Sequence, residues 1–153
     1  MFIRFALALV LGALLGLERE LVGKEEAGVR TTMLVTSGAA IFAMIALTLP
    51  YITAATQGAL PDAAALNSAF AVIANIVVGI GFLGAGIIIK LNDHPHGVTT
   101  AALVWTAAAI GTLVGIGLTQ FAFAAAVILA ILLYLLRRLN ISESLEKNMH
   151  SEK

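Results

Sequence analysis

The sequence reads as an all-α polytopic membrane protein, a bundle of about five transmembrane helices with almost no soluble part. Three observations predict this class. Hydrophobic residues fill 60% of the 153 positions and charged residues only 12%, about half the charge of an ordinary soluble domain. The mean hydropathy is +1.00, and a soluble chain this short could not bury so much apolar surface in one core. Long apolar runs also recur at close to the roughly 20 residues that carry an α-helix across a bilayer.

Five such runs are expected to span, at about 2–21, 31–49, 69–89, 99–118 and 120–136. Together they make one transmembrane domain over residues 1–138, followed by a short tail at 139–153. The first run follows the pattern of a signal peptide in placing Arg4 near an apolar stretch. However, Glu18, Arg19 and Glu20 stand where a small-residue cleavage site belongs, so it reads as a retained helix. The basic residues set the orientation. Arg19, Lys24, Arg30, Lys90, Arg137, Arg138, Lys147 and Lys153 fall on one side, and Arg4 alone on the other. The N-terminus is therefore expected outside and the C-terminus in the cytoplasm.

An internal repeat organises the runs. Gly28-Val29-Arg30-Thr31-Thr32-Met33-Leu34-Val35 returns 69 residues later as Gly97-Val98-Thr99-Thr100-Ala101-Ala102-Leu103-Val104, and Ala39-Ala40-Ile41 matches Ala108-Ala109-Ile110. Shared Ala/Gly/Val bias is one explanation. The other is a pair of parallel-related helical hairpins, helices 1–2 and 3–4, with a fifth helix added, an arrangement known among transporters.

Glycines gather in the helices. Gly12 and Gly16 form a G-x-x-x-G pair in the first, Gly111 and Gly115 form another in the fourth, and Gly79, Gly81, Gly84 and Gly86 crowd the third. Membrane helices associate by close backbone approach over small residues, so these positions read as helix packing, with a homodimer as one outcome. Gly79–Gly84 also spells G-x-G-x-x-G, but a dinucleotide site needs a preceding strand and a soluble βαβ unit.

The polar residues converge near the same inner depth. Glu18, Arg19 and Glu20 end the first helix, Arg30, Thr31 and Thr32 open the second, and Thr99 and Thr100 open the fourth. Trp105 sits deeper than an interfacial belt, and Asn75 is the one amide inside the third run, nearer the external face. Helix N-termini attract carboxylates and anions. These groups read either as caps and a topology-setting charge cluster or as one polar pocket open to the cytoplasm. Asp93, His94 and His96 form a weak metal candidate, in a proline-containing loop without fixed geometry. No cofactor is implied.

Four motifs in order carry a family resemblance: Gly16-Leu17-Glu18-Arg19-Glu20, Gly28-Val29-Arg30-Thr31, Gly79-Ile80-Gly81-Phe82-Leu83-Gly84-Ala85-Gly86, and Gly97-Val98-Thr99-Thr100-Ala101-Ala102 with Trp105 and Ala109-Ile110-Gly111. In these the chain resembles the MgtC/SapB family from Gly12 to about Gly117. The resemblance implies a bacterial inner-membrane protein with an external N-terminus, linked to growth under magnesium limitation and to virulence, and it supplies no reaction. Typical members carry an Asp and an Arg three residues apart before the glycine run, and then a Gln. Here Ser68, Ala71 and Asn75 stand at those places, so a role for the acidic–basic pair is not carried over. Many members also carry a cytoplasmic C-terminal domain, and its role is likewise not carried over.

Function classes narrow accordingly. Zero net charge argues against a nucleic-acid partner, which would call for a basic patch. An enzyme is not expected: there is no cysteine, and Ser37 is the one serine well inside a helix, with no visible base. A regulatory protein that binds another membrane protein is favoured. The alternative is an ion or small-solute transporter or channel using a pocket at Glu18, Arg19 and Arg30. External halves that are nearly all apolar tip the balance toward binding. A reporter fused within Pro50–Ser68 is expected to read external and one fused after Arg138 cytoplasmic; the reverse pattern would overturn the orientation.

Overall fold

A computed structural model describes residues 1–20, 28–91 and 94–138. The expected all-α architecture is present as five helices: α1 Phe2–Glu20, α2 Val29–Thr56, α3 Ala63–Ile87, α4 Val98–Ile116 and α5 Thr119–Arg138. Four of them, α2 to α5, are long and apolar enough to cross a membrane. The apolar stretch of α1, Phe2–Leu17, is shorter and spans about 24 Å at 1.5 Å per residue.

Two helices run further than their apolar runs suggested. α2 was expected to stop before Pro50 but continues to Thr56, and Pro50 lies buried inside it. A fixed φ near −65° is helical, and the lost N–H is tolerable where neighbours fill the gap. α3 starts six residues earlier than 69, because the Asp62 side chain caps it by accepting from the Ala65 N–H at 2.8 Å. The α2–α3 connection shrinks to Gln57–Asp62, with Gly58 at φ +67°.

Between α3 and α4 lies a feature absent from the sequence reading, a two-stranded antiparallel ribbon. β1 Ile89–Leu91 pairs with β2 His94–His96, in the register Ile89↔His96, Lys90↔Pro95 and Leu91↔His94. Gly97 then turns the chain into α4 at φ +81°, where a Cβ would strike the Ile87 carbonyl. Only glycine fits that turn. The tight α4–α5 turn is a Schellman motif: Gly117 at φ +105° donates to the Val114 carbonyl at 3.2 Å, and the Leu118 N–H donates to Leu113 at 2.9 Å.

α2 is the hub. A Cβ on Gly12 would lie 2.7 Å from the Thr32 carbonyl oxygen and 2.8 Å from Met33 Cα, and one on Gly16 would strike Thr32 Oγ1. α1 therefore lies antiparallel against the first half of α2, backbone to backbone. On the other side, Gly111 lies against the Thr36 carbonyl and Gly115 against Ala40. Both indices rise together, so α2 and α4 run parallel, as two hairpins entering from one side require. The core that results joins Ala8, Leu11 and Leu15 of α1, Ala40 and Met44 of α2, Leu103, Ala107, Ile110 and Val114 of α4, and Ala122 and Ala126 of α5. It contains no residue of α3, in which only Ala69 and Gly84 are buried.

At the end of the bundle where α1 starts, Arg4 stitches three elements. Its Nη1 donates to the Gly115 carbonyl at 3.1 Å, and its guanidinium lies over Gly117. A cation at the C-terminus of α4 meets unpaired carbonyls and the negative end of the helix dipole.

This packing sets expected stability changes at Gly111, Gly81 and Arg4. Gly111→Ala is expected to cost about 2–3 kcal/mol, the upper range for overpacking, because the obstructing atoms are backbone. Gly81→Ala, with open space over its Cα, is expected to be neutral or mildly stabilising; equal melting of the two variants in detergent would contradict the α2–α4 contact. Arg4→Ala is expected to cost about 1 kcal/mol in a denaturant titration in detergent, with Arg4→Lys recovering part of it.

Candidate functional site

The inner-depth residues divide by what they touch. Glu20 reaches the start of α2, where its Oε2 accepts from the Val29 N–H at 3.3 Å. This caps a helix whose N-cap residue, Gly28, has no side chain to offer. Thr32 is fully buried beneath Gly16, and its Oγ1 donates back to the carbonyls of Val29 at 3.0 Å and Gly28 at 3.2 Å. Thr36 does the same one turn on, donating to Thr32 at 2.7 Å. Such back-bonding satisfies a hydroxyl within its own helix, so these threonines serve the α1–α2 contact.

Arg30 and Thr99 are exposed, Thr31 is half-buried, and Thr100 is buried. Trp105 is half exposed on the outer side of α4. Glu18 and Arg19 lie in the last turn of α1, but their side chains fall outside the described residues, as do Asp93 and the tail 139–153. His96 is exposed in β2. Among the described residues there is no cluster of three metal-ligating side chains.

Asn75 is not with this group. It sits at the midpoint of α3, twelve residues from either end, rather than nearer one face, because the helix begins at Ala63. It lines a cleft of about 450 Å³ between α2 and α3, whose walls are Leu34, Val35, Gly38, Ala39 and Phe42 on α2 and Val72, Asn75, Ile76, Gly79 and Ile80 on α3. Asn75 is the one polar side chain in this lining. Gly38 and Gly79 have open space over them, so both walls present bare backbone to the cleft. A smaller, mostly apolar cleft of about 300 Å³ lies between Met1 and α2 at the other end.

The glycines also divide. Gly12, Gly16, Gly111 and Gly115 are used inside the chain against α2, and Gly84 lies 3.7 Å from Ala101 Cβ, counting from the position of an added Cβ. Gly79, Gly81 and Gly86 meet nothing within 4 Å, so the packing expected of the α3 run is realised within the chain at Gly84 alone. Sequence reasoning missed the cleft and Arg4. The signal for the cleft was available as Asn75 and Gly79 one turn apart on one helix.

The model of the MgtC family matches residues 5–141. Protein MgtC of Salmonella typhimurium is 40% identical over 130 residues, covering 85% of this chain and 49% of the relative. Protein SrpB of Synechococcus elongatus is 37% identical over 125 residues, covering 76% of this chain and 64% of the relative. A protein of Haemophilus influenzae is 37% identical over 131 residues, covering 85% and 52%. The chain thus spans half to two thirds of the length of these relatives, and no solved structure matches it. The match runs through all five helices, from α1 to beyond Arg138, and with the bundle described above it settles the question of kinship: this chain belongs to the MgtC family.

Proposed function

We propose that the chain is a regulatory membrane protein that works by docking a transmembrane helix of a partner into the α2–α3 cleft. By its family resemblance this would serve adaptation to magnesium limitation, and virulence in organisms that need it. One observation carries the reading. The cleft offers bare backbone at Gly38 and Gly79, apolar walls, and a single amide at Asn75, which are the features a packed membrane helix uses. No ionisable side chain is among its lining residues.

The transport alternative leans on Glu18, Arg19 and Arg30. Of their neighbours at that end, Glu20 is engaged as a cap and Thr32 within its own helix, which leaves fewer free groups for a solute. The proposed placement is the bacterial inner membrane, with the α1–α2 and α3–α4 connections in the cytoplasm, where the basic residues gather.

Gly79→Leu would fill the cleft from its wall. In cells that depend on the protein for growth at low magnesium, it is expected to reduce growth yield about tenfold at unchanged protein level. Gly81→Leu, which lies off the cleft, is expected to leave growth unchanged. Solute flux in proteoliposomes that Glu18→Ala abolishes would instead support transport and defeat the docking reading.

A further inference from the structure

We infer that the helix occupying this cleft is α3 of a second copy of the chain, packed about a two-fold axis normal to the membrane. The inference rests on the docking reading and names its occupant. The G-x-x-x-G faces that would ordinarily suggest self-association are unavailable, because Gly12, Gly16, Gly111 and Gly115 are closed against α2. Any dimer must use another face, and α3 is the helix that gives no residue to the core.

Its exposed side is patterned. Ser68, Val72, Asn75, Gly79, Phe82 and Gly86 are all exposed and follow one another at spacings of four, three, four, three and four. That is the a/d seam of a parallel helix pair, sustained over five turns of α3. Nearly all of α3 is exposed, and what sets this series apart from the equally spaced 67/71/74/78/81/85 series is that Val72, Asn75 and Gly79 line the cleft.

Two features make the seam complementary to itself. Copies inserted the same way face each other at equal depth, which sets Asn75 opposite its own counterpart at the middle of the helix. A carboxamide is both donor and acceptor, so two of them satisfy each other where lipid offers no partner. Phe82, 86% exposed, stands between Gly79 and Gly86 on the same seam. The ring of one copy has space beside the bare glycines of the other. The partner helix then lies along the cleft, near Gly38 and Phe42 of α2.

The chain has no cysteine, so single cysteines can be placed without background. Oxidation in native membranes is expected to yield disulfide-linked dimers of the 15.9 kDa chain from Val72→Cys, Asn75→Cys, Gly79→Cys, Phe82→Cys and Gly86→Cys. Yields should exceed those at Val78→Cys and Gly81→Cys about tenfold. Adding Asn75→Leu to the Gly79→Cys chain is expected to lower the dimer about five-fold, and Asn75→Gln to preserve most of it.

Several outcomes would overturn the inference. They are crosslinks that peak at Val78 and Gly81, a yield that is flat along α3 as a lipid-facing helix gives, or linkage to a species of another mass. The last would leave the docking reading intact, as would a growth defect in Gly79→Leu without any crosslink. A normal Gly79→Leu phenotype without crosslinks would remove both.

Discussion

Everything in this bundle depends on how closely α1 and α4 can approach α2. Lipid tails are as apolar as leucine, so helices in a bilayer gain little from hiding apolar surface and must gain from contact. Glycines at positions 12, 16, 111 and 115 remove the side chains that would hold the backbones apart, and the carbonyls of Thr32, Thr36 and Ala40 occupy the space gained. The hydroxyls of Thr32 and Thr36 can sit in these seams because each is satisfied by a carbonyl of its own helix. Polarity that would be costly in lipid is thereby kept internal.

A three-helix seam built this way has little room for a fourth partner of equal standing. α5 closes the core with Ala122 and Ala126, held in place by the Gly117 turn and by Arg4 beneath it. α3 is attached differently. It touches α4 at Gly84 and Ala101 and also packs against α2, with the cleft opening along one side of that contact. The hairpin resemblance in the sequence therefore covers unequal packing. At Gly12 and Thr32 the first hairpin is closed backbone to backbone, while at Gly84 and Ala101 the second is closed at ordinary van der Waals distance. The looser hairpin is the one that holds the open glycines.

Much of the fold was legible in the sequence, since apolar length and glycine spacing report directly on spanning and on close approach. Boundaries failed where a local cue overrode hydropathy. Pro50 looked like a stop but is accommodated within α2, and the Pro61-Asp62 start of α3 was passed over because the Ala-rich turn after it is only mildly apolar. The β1–β2 ribbon was invisible because three-residue strands leave no periodic signal. The family motifs were legible as motifs, yet spacing states only that a glycine permits contact. Which glycines are used within the chain and which are left open is decided by the order in which helices pack, a property of the whole fold.

That division bears on the departures from the family pattern. Typical members are expected to carry an acidic and a basic residue at the places held here by Ser68 and Ala71, with a Gln at Asn75. In the structure all three are exposed on α3, and Ser68 and Asn75 stand on one seam of it. None belongs to the core, so small side chains in place of the charged pair, and one amide in place of another, leave the α1–α2–α4 seams untouched. An ion pair within the membrane demands a partner or water, whereas serine and asparagine can be satisfied by a helix backbone or by each other. These three positions therefore belong to the exposed surface of α3 and not to the scaffold that presents it. On the proposed docking reading, partner choice and bundle stability are carried by separate sets of residues in this chain.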